Sequence, residues 1–261
     1  MVAERPTVAE GINLRVEGEI LIVEIDRPEK RNALNRSVVA GLAAAMQTLA
    51  GDGTLRVGII TGSGGCFSSG MDLDYFETVG GSEFALNGIE GLTDREAGKP
   101  LIAAVEGFAL AGGCEIALAC DLIFASRDAS FGLPEVQLGL VAAAGGLFRL
   151  PHRLPEGIAL EYLLTGHRFS AQRAYELGLV NRLTNPGEAL ETALETAKEI
   201  SSNSPLAVEA TTRIVKHGQT HSMSEGFKYQ RSIAKTVLDS EDASEGVRAM
   251  RERRPPVWKG R

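Results

Sequence analysis

Short strand-like runs alternate with helical segments up to about residue 200, and this alternation constrains the fold more than any other feature of the chain. The runs are rich in β-branched residues and are bounded by Gly, Pro or Asp, as strands usually are. We expect a helix after each run, as over 37–50, where apolar side chains recur on one face, and another helix capped by Asn185 with Pro186 at its first position. The pattern predicts an α/β fold. The clearest runs are 20–25, 55–61, 101–105 and 122–125.

Beyond about residue 204 the pattern indicates helix only. Ser204 precedes a proline, the sequence from Ser222 to Glu225 fits a capping box, and Ser240 begins a polar helix that ends before Pro255. The change in pattern predicts two domains, a core over 1–200 and a C-terminal helical region over 201–261.

Composition restricts the partners and the compartment. The chain has 261 residues, 44% of them hydrophobic and 23% charged, which is typical of a folded protein. A net charge of −7 gives no general basic surface for nucleic acid or anionic lipid, and no apolar run approaches the length of a membrane span. The three cysteines lack paired spacing and favour reduced thiols. We therefore expect a cytoplasmic protein that binds neither nucleic acid nor membrane.

A glycine-rich loop, 61–70, follows the second predicted strand. A P-loop would need Lys and then Ser or Thr after Gly70, where Met71 and Asp72 stand, and the third glycine of a dinucleotide-binding loop is also absent. Glycine lets the backbone approach a ligand closely, so N–H groups of this loop could donate to a carbonyl oxygen. The alternative is a tight surface turn.

A second glycine-rich segment, 107–115, joins a predicted strand to an apolar helix. Gly112 lies at the expected helix N-terminus, where unpaired N–H groups and the positive end of the helix dipole favour a developing negative charge. Close packing of the helix on the strand would also explain glycine there. The polar stretch 80–98 indicates either a mobile loop or a helical insert beside a pocket.

Glu115 and Glu135 each lie near a predicted helix start. Such carboxylates are often structural, because the helix dipole stabilises them. As a pair they could share one water, one accepting a proton while the other donates. Spacing alone does not place them in one pocket. We expect no metal site, because Gly218 and Thr220 indicate a helix end between His217 and His221, the one histidine pair at helical spacing.

Four segments resemble the crotonase (enoyl-CoA hydratase/isomerase) superfamily, and the resemblance covers nearly the whole chain. They are 27–35 (RPEKRNALN), 66–73 (CFSSGMDL), 106–121 (EGFALAGGCEIALACD) and 131–135 (FGLPE). The resemblance implies a ClpP/crotonase-like spiral of ββα units with a C-terminal helical trimerisation region. It also implies an acyl-CoA thioester substrate and a homotrimer or dimer of trimers. It implies no separate cofactor, since coenzyme A is part of the substrate.

Carried onto this sequence, the resemblance places the backbone N–H groups of Met71 and Gly112 in an oxyanion hole for the thioester oxygen. Glu115 and Glu135 match the two glutamates of hydratases. Many isomerases keep only the acid that matches Glu135, so the presence of both favours addition of water to a 2-enoyl-CoA, or the reverse. The implied coenzyme A contacts are Lys30, Arg31, Ala33, Ser69, Asp72 and Leu73.

The turn at 141–146 (VAAAGG) departs from the Pro-Gly-Ala-Gly-Gly common in hydratases. Ala143 stands where a glycine helps to hold the catalytic water. If that position needs a positive φ, alanine disturbs the water site; if only the N–H matters, nothing is lost. The pattern is also similar to carnitinyl-CoA dehydratase-like members. A hydratase, an isomerase, such a dehydratase and a non-catalytic acyl-CoA-binding paralogue therefore stay open.

Overall fold

The computed structural model describes residues 3–4, 9–79, 89, 91–95 and 98–261. The chain packs as two compact units: one takes the chain up to Arg95 together with Leu101–Ala197, and the other takes Glu96–Pro100 and Lys198–Arg261. A division into two domains at residue 200 stays a prediction. The stretch 80–98, expected to be a mobile loop or an insert, lies largely outside the described residues.

A seven-stranded sheet carries much of the core of the first unit. Its strands, in spatial order, are β1 (Ala3–Glu4), β2 (Ile12–Glu17), β3 (Ile20–Ile25), β4 (Val57–Gly62), β5 (Leu101–Val105), β7 (Leu122–Ser126) and β10 (Arg182–Thr184). All four predicted runs are confirmed as strands, two of them with shifted ends. β5 is buried throughout, as expected of a parallel strand covered on both faces.

The sheet changes from antiparallel to parallel at β3. β1, β2 and β3 pair antiparallel, and the pairs from β3 to β10 are all parallel. The turn between β2 and β3 contains Gly18 at φ +61°, a conformation that glycine adopts without penalty. Parallel neighbours need long crossover connections, and the rest of the first unit supplies them.

A second sheet of three short strands shows that single strands and helices do not alternate as expected. β6 (Phe108–Leu110) lies parallel to β8 (Ser130–Gly132), which pairs antiparallel with β9 (Phe169–Ser170). β6 follows β5 and β8 follows β7, so the prediction of a helix directly after 101–105 and 122–125 is wrong. In both places two strands, and not one, precede the next helix. Strands this short carry too few side chains for a period-2 pattern to be recognised.

The first helix, Arg36–Gly51, is close to its prediction over 37–50. It begins after Asn35, whose side chain accepts the N–H of Val38, and it buries the expected apolar face. The other helices described up to residue 201 are Leu73–Val79, Gly112–Ala119, Gly146–Arg153, Glu156–Thr165, Ala171–Glu176 and Ala189–Ser201.

The predicted cap at Asn185 is wrong, because the helix begins four residues later, at Ala189. Glu106, directly after β5, accepts the N–H groups of Gly187 and Ala189 at 3.1 Å each. A carboxylate from a distant part of the chain thus caps this helix, and local sequence signals could not reveal it.

The second unit contains the helices Pro205–Gly218, Met223–Leu238 and Glu241–Glu252. The caps predicted at Ser204, Ser222 and Ser240 are confirmed, and Ser222 forms the complete capping box. The buried carboxylate of Asp242 accepts the Ser204 hydroxyl and the N–H groups of Lys259 and Gly260, which fixes the end of the chain. No helix in the described part of the chain is long and apolar enough to cross a membrane.

Candidate active site

The two glycine-rich segments lie side by side. The N–H of Phe67 donates to the carbonyl of Glu106 at 2.8 Å, the N–H of Ser68 to that of Phe108 at 2.8 Å, and the N–H of Leu110 to that of Ser68 at 3.0 Å. These bonds join the loop after β4 to β6, and so bring the positions of Met71 and Gly112 into one region of the fold.

Gly70 shows how closely the two segments approach. Its φ is +93°, and a Cβ atom there would lie 2.6 Å from Cβ of Ala111, 2.8 Å from the carbonyl oxygen of Leu110 and 3.3 Å from the nitrogen of Gly112. Such distances leave no room for a side chain, so glycine is required both by space and by conformation.

Gly112 begins the helix Gly112–Ala119, as the sequence predicts. The preceding residue, Ala111, has φ +48° and ψ −126°, which is rare for a residue with a Cβ atom. Ala111 is held on both sides, because its N–H donates to Gly132 at 2.9 Å and its carbonyl accepts from Glu115 at 3.0 Å. The N–H of Gly112 belongs to the first helical turn and donates no hydrogen bond within the described residues.

The N–H of Met71 is also available. Leu34 and Met71 form a parallel β-bridge, but its hydrogen bonds use the residues on either side of Met71. The N–H of Leu34 donates to the carbonyl of Gly70, and the N–H of Asp72 donates to the carbonyl of Leu34. The Met71 N–H therefore points away from Leu34, and the described residues offer it no acceptor. Two free backbone donors, from Met71 and Gly112, thus belong to residues that line one cavity.

This cavity has a volume of about 440 Å³ and combines aliphatic side chains with two carboxylates. Six of the predicted site residues line it: Ser69, Met71, Leu73, Gly112, Glu115 and Glu135. The other described lining residues are Leu34, Ile89, Ala111, Pro134, Leu138, Gly139, Leu140, Val141, Ala143 and Ala144. The structure therefore places Glu115 and Glu135 against one cavity, an arrangement that the family resemblance implied and that their spacing did not.

Glu115 lies in the first turn of its helix and is only 4% exposed. One carboxylate oxygen, Oε1, accepts the N–H groups of Ala144 and Gly146 at 2.8 Å each. Burial raises the pKa of Glu115 to about 7, the negative charge of Glu135 adds to the increase, and the two N–H donors oppose it. A carboxyl group with a pKa near neutral can both accept and release a proton at physiological pH.

Glu135 projects from a short 3₁₀ turn, Glu135–Leu138, that follows Pro134. The turn closes at Gly139, which has φ +70°, and the carbonyl of Glu135 accepts the N–H of Leu140 at 3.0 Å. Burial raises the pKa of Glu135 as well. Its Oε2 atom is buried without a hydrogen-bond partner among the described residues, so its capacity to accept a hydrogen bond is unused.

Ala143 does not have a positive φ, which decides between the two consequences considered for this substitution. The backbone accommodates alanine without strain at this position. No hydrogen bond within the described residues uses its N–H, which remains available at the cavity wall. Loss of the family's glycine therefore does not distort the turn.

The predicted coenzyme A turn lies next to Ser69, which lines the cavity. Arg31 and Asn32 both have positive φ, and the carbonyl of Arg31 accepts the N–H of Ser69 at 3.0 Å. Lys30 is exposed and pairs with Asp74 at 2.9 Å, which raises the pKa of its ammonium group. These contacts place the Arg31 backbone beside Ser69, which lines the cavity, and pair the Lys30 charge with that of Asp74.

Ala33 and Asp72 hold this region together from inside. Arg27 donates to the carbonyl of Ala33 at 2.7 Å and forms a half-buried ion pair with Asp72 at 3.1 Å. Neither Ala33 nor Asp72 lines the cavity. A direct contact of either residue with coenzyme A stays a prediction, whereas the Asp72 carboxylate is engaged by Arg27.

Sequence reasoning missed the residues that position the others. The charge of Arg27 gave no sign of its partner, and the unusual φ of Ala111 has no sequence signal. Ala144 supports Glu115 through its backbone, which any residue could supply. No group of three His, Cys, Asp or Glu side chains in the described ranges is arranged to hold a metal ion.

Comparisons with known proteins identify the family. The family model described as enoyl-CoA hydratase/isomerase matches residues 15–261. The carnitinyl-CoA dehydratases of Salmonella typhi and Proteus mirabilis (strain HI4320) are each 41% identical over 262 residues, which is 97% of this chain and 100% of theirs.

Solved structures extend the likeness to the whole fold. The enoyl-CoA hydratase from Mycobacterium tuberculosis H37Rv is 50% identical with a TM-score of 0.92, over 96% of this chain and 99% of that one. The enoyl-CoA hydratase from Bacillus anthracis is 30% identical with a TM-score of 0.90, over 97% and 100%. The predicted α/β crotonase-like fold with its C-terminal helical region is confirmed. The chain belongs to the enoyl-CoA hydratase/isomerase family, the crotonase superfamily that its four segments resemble.

Proposed function

We propose that this enzyme adds water to the double bond of a 2-enoyl-CoA thioester, or catalyses the reverse dehydration. The observation that carries the proposal is the meeting of two carboxyl groups with raised pKa values and two unused backbone N–H groups around one apolar cavity. Hydration needs both parts, because negative charge develops on the thioester oxygen while a proton leaves water and another reaches the substrate.

In this mechanism the thioester oxygen accepts hydrogen bonds from the N–H groups of Met71 and Gly112. These donors stabilise the enolate that forms when water attacks Cβ. Glu115 accepts the proton of the attacking water, and Glu135 donates a proton to Cα. One C–O bond and one C–H bond form, the double bond becomes single, and the electron pair passes through the enolate.

The pair must therefore carry one proton between two carboxyl groups, both before and after turnover. Burial and their mutual repulsion disfavour the doubly ionised state, which is why a singly protonated pair is the expected form near neutral pH. After one turnover the proton lies on Glu115 and returns to Glu135 before the next. The apolar walls exclude bulk water and strengthen each of these interactions.

Dehydration of carnitinyl-CoA is the second candidate, because curated relatives with that name match nearly the whole chain. Its acyl group carries a quaternary ammonium, which proteins commonly bind against aromatic faces. Apart from the two glutamates and Ser69, the described part of the cavity wall is apolar, and none of its side chains is aromatic. This lining favours an uncharged acyl chain.

A panel of thioesters tests the proposal. Wild-type protein mixed with crotonyl-CoA should lose the absorbance of the conjugated enoyl group, and mass spectrometry should find the hydrated product. Carnitinyl-CoA has no conjugated double bond, so its dehydration should raise this absorbance, and should do so more slowly. Binding of crotonyl-CoA without loss of absorbance would indicate a non-catalytic paralogue. Migration of a 3-enoyl double bond that tolerates Glu115→Gln would indicate an isomerase.

A further inference from the structure

Arg149 holds the turn that supports Glu115. It lies in the helix Gly146–Arg153, and its guanidinium donates to two carbonyl groups: Nη1 to Ala144 at 3.1 Å and Nη2 to Thr93. Ala144 is the residue whose N–H donates to Glu115, so the same peptide region receives the guanidinium and supports the carboxylate.

The space around this guanidinium is closely fitted. Gly145 has φ +100°, and a Cβ atom there would lie 1.9 Å from Nη1 of Arg149. The two N–H groups that hold Glu115 come from the residues on either side of Gly145. The guanidinium thus lies against the turn at the residue between the two donors to Glu115, and we expect the turn and both donors to shift when it is removed.

The second contact reaches another part of the cavity wall. Thr93 is buried and lies in the described segment 91–95, close in sequence to Ile89, which lines the same cavity. Arg149 joins this segment to the turn at 141–146 through a planar fork with two donors, a geometry that lysine cannot reproduce.

We propose that Arg149 is a positioning residue, which sets the orientation and the protonation of Glu115 by tying the turn at 141–146 to the segment around Thr93. The inference rests on the proposed function for its kinetic consequences only. Arg149 does not touch the reacting atoms; it acts through Ala144, Gly146 and the field of its positive charge.

The charges around the pair define the expected pH effect. Glu115 is faced by Glu135 and by Arg149, while Arg149 itself is faced by Arg95, Arg153 and the thiol of Cys120. The positive charge of Arg149 lowers the pKa of Glu115 and so opposes the effect of burial. Removal of Arg149 takes away this charge and loosens the two N–H donors, and both changes raise the pKa of Glu115.

Three variants distinguish the effect of holding the turn in position from the effect of the positive charge of Arg149. Arg149→Met removes both, and Arg149→Lys keeps the charge but not the fork. Arg153→Met is the matched control, because Arg153 is, like Arg149, a partly buried arginine on the same helix, and it donates to the carbonyl of Cys120 and not to the turn. Each is assayed for hydration of crotonyl-CoA across pH and for thermal stability.

For Arg149→Met we expect kcat to fall about 10²-fold, as a small misplacement of a reacting group can cause. KM should change little, because Met71, Gly112 and Leu73 keep their places. The acidic limb of the kcat profile should move about one unit to higher pH, as loss of a neighbouring opposite charge does. Arg149→Lys should lower kcat about 10-fold, an effect smaller than that of Arg149→Met because the charge is kept and only the fork is lost. The acidic limb of its kcat profile should stay near that of wild type.

Arg153→Met should melt at a lower temperature but keep the kcat and the pH limb of wild type. The inference is overturned if Arg149→Met shows the same behaviour, that is, lower stability with unchanged kcat and limb. Where Arg149→Met fails to fold, Arg149→Lys decides: an unchanged kcat overturns the inference, and the 10-fold loss with unchanged KM supports it.

An infrared titration separates this inference from the proposed function. The carbonyl stretch of protonated Glu115, assigned by its loss in Glu115→Gln, follows the carboxyl group without any turnover. If wild type hydrates no enoyl-CoA, the proposed function fails, yet a higher titration midpoint in Arg149→Met still supports the role of Arg149. An unchanged midpoint together with normal hydration overturns the role of Arg149 alone.

Discussion

Replacement of Glu115 by glutamine should stabilise the fold above neutral pH while it impairs catalysis. Burial raises the pKa of this carboxyl from an ordinary 4.5 to about 7, so the folded state binds a proton more tightly than the unfolded chain. This tighter proton binding stabilises the folded state. The stabilisation is fully present below about pH 4.5 and is lost as pH rises through about 7.

The size of the effect follows from the shift in pKa. Each pKa unit corresponds to about 1.4 kcal/mol, so the rise from 4.5 to about 7 costs the ionised wild type up to about 3 kcal/mol. Glutamine can still accept the N–H groups of Ala144 and Gly146 through its amide oxygen, and it carries no charge. Glu115→Gln should therefore unfold with a free energy up to about 3 kcal/mol higher at about pH 8, and with almost no difference at about pH 4.

Urea unfolding of both proteins at a series of pH values, at one protein concentration, measures this difference. Glu161→Gln, on an exposed face of the helix Glu156–Thr165, is the control and should change the unfolding free energy by less than about 0.5 kcal/mol at every pH. A difference for Glu115→Gln that does not vary with pH, or one that grows toward acid, would refute the claim that the ionised carboxylate is held at a cost.

Other changes test the rest of the site. Glu135→Gln and Glu115→Gln should each lower turnover of crotonyl-CoA about 10² to 10⁴-fold with thioester binding retained, and the double variant should lose little more, because both act on one water; full activity in either would contradict the two-carboxylate mechanism. Gly70→Ala should lower both the melting temperature and kcat, whereas Gly65→Ala, which shares a positive φ but has open space around it, should keep kcat. Light scattering should find a trimer or a dimer of trimers, and a stable monomer at micromolar concentration would argue against the helical region after residue 204 as a subunit contact.

The parts of this fold that sequence predicts are those decided by local chemistry. The run at 20–25 is a strand because its β-branched side chains suit a buried pleated surface, and Ser222 begins a helix because its hydroxyl and Glu225 satisfy each other's backbone donors. The start of the helix at Ala189 could not be predicted in this way, because its cap, Glu106, is distant in sequence. Local signals predict an element when its determinants lie within a few residues, and they fail when a distant side chain decides.

The candidate site likewise combines features that the sequence shows with contacts that only the fold creates. The motif resemblance, and not spacing, brought Glu115 and Glu135 together, since residues from a helix and a 3₁₀ turn meet only through the fold. The contacts that tune them are less visible still: Ala144 and Gly146 act through backbone N–H groups, and Arg149 acts through a carbonyl. Neither kind of contact requires a particular partner side chain, so no pattern in the sequence marks it.

Ala111 shows why local sequence rules fail at the proposed oxyanion site. A non-glycine residue at φ +48° and ψ −126° costs about 1 to 3 kcal/mol, and glycine would remove much of that cost. The glycines stand instead at the next two positions, where there is no room for a side chain. A Cβ at Gly113 would lie 2.5 Å from the carbonyl oxygen of Ser68, and one at Gly112 would lie 3.0 Å from Leu34. The strained backbone of Ala111 is held by Gly132 and Glu115, so the direction of the Gly112 N–H is set before any ligand arrives. Donors fixed in advance need no reorganisation as charge develops, and the strain is the cost of that arrangement.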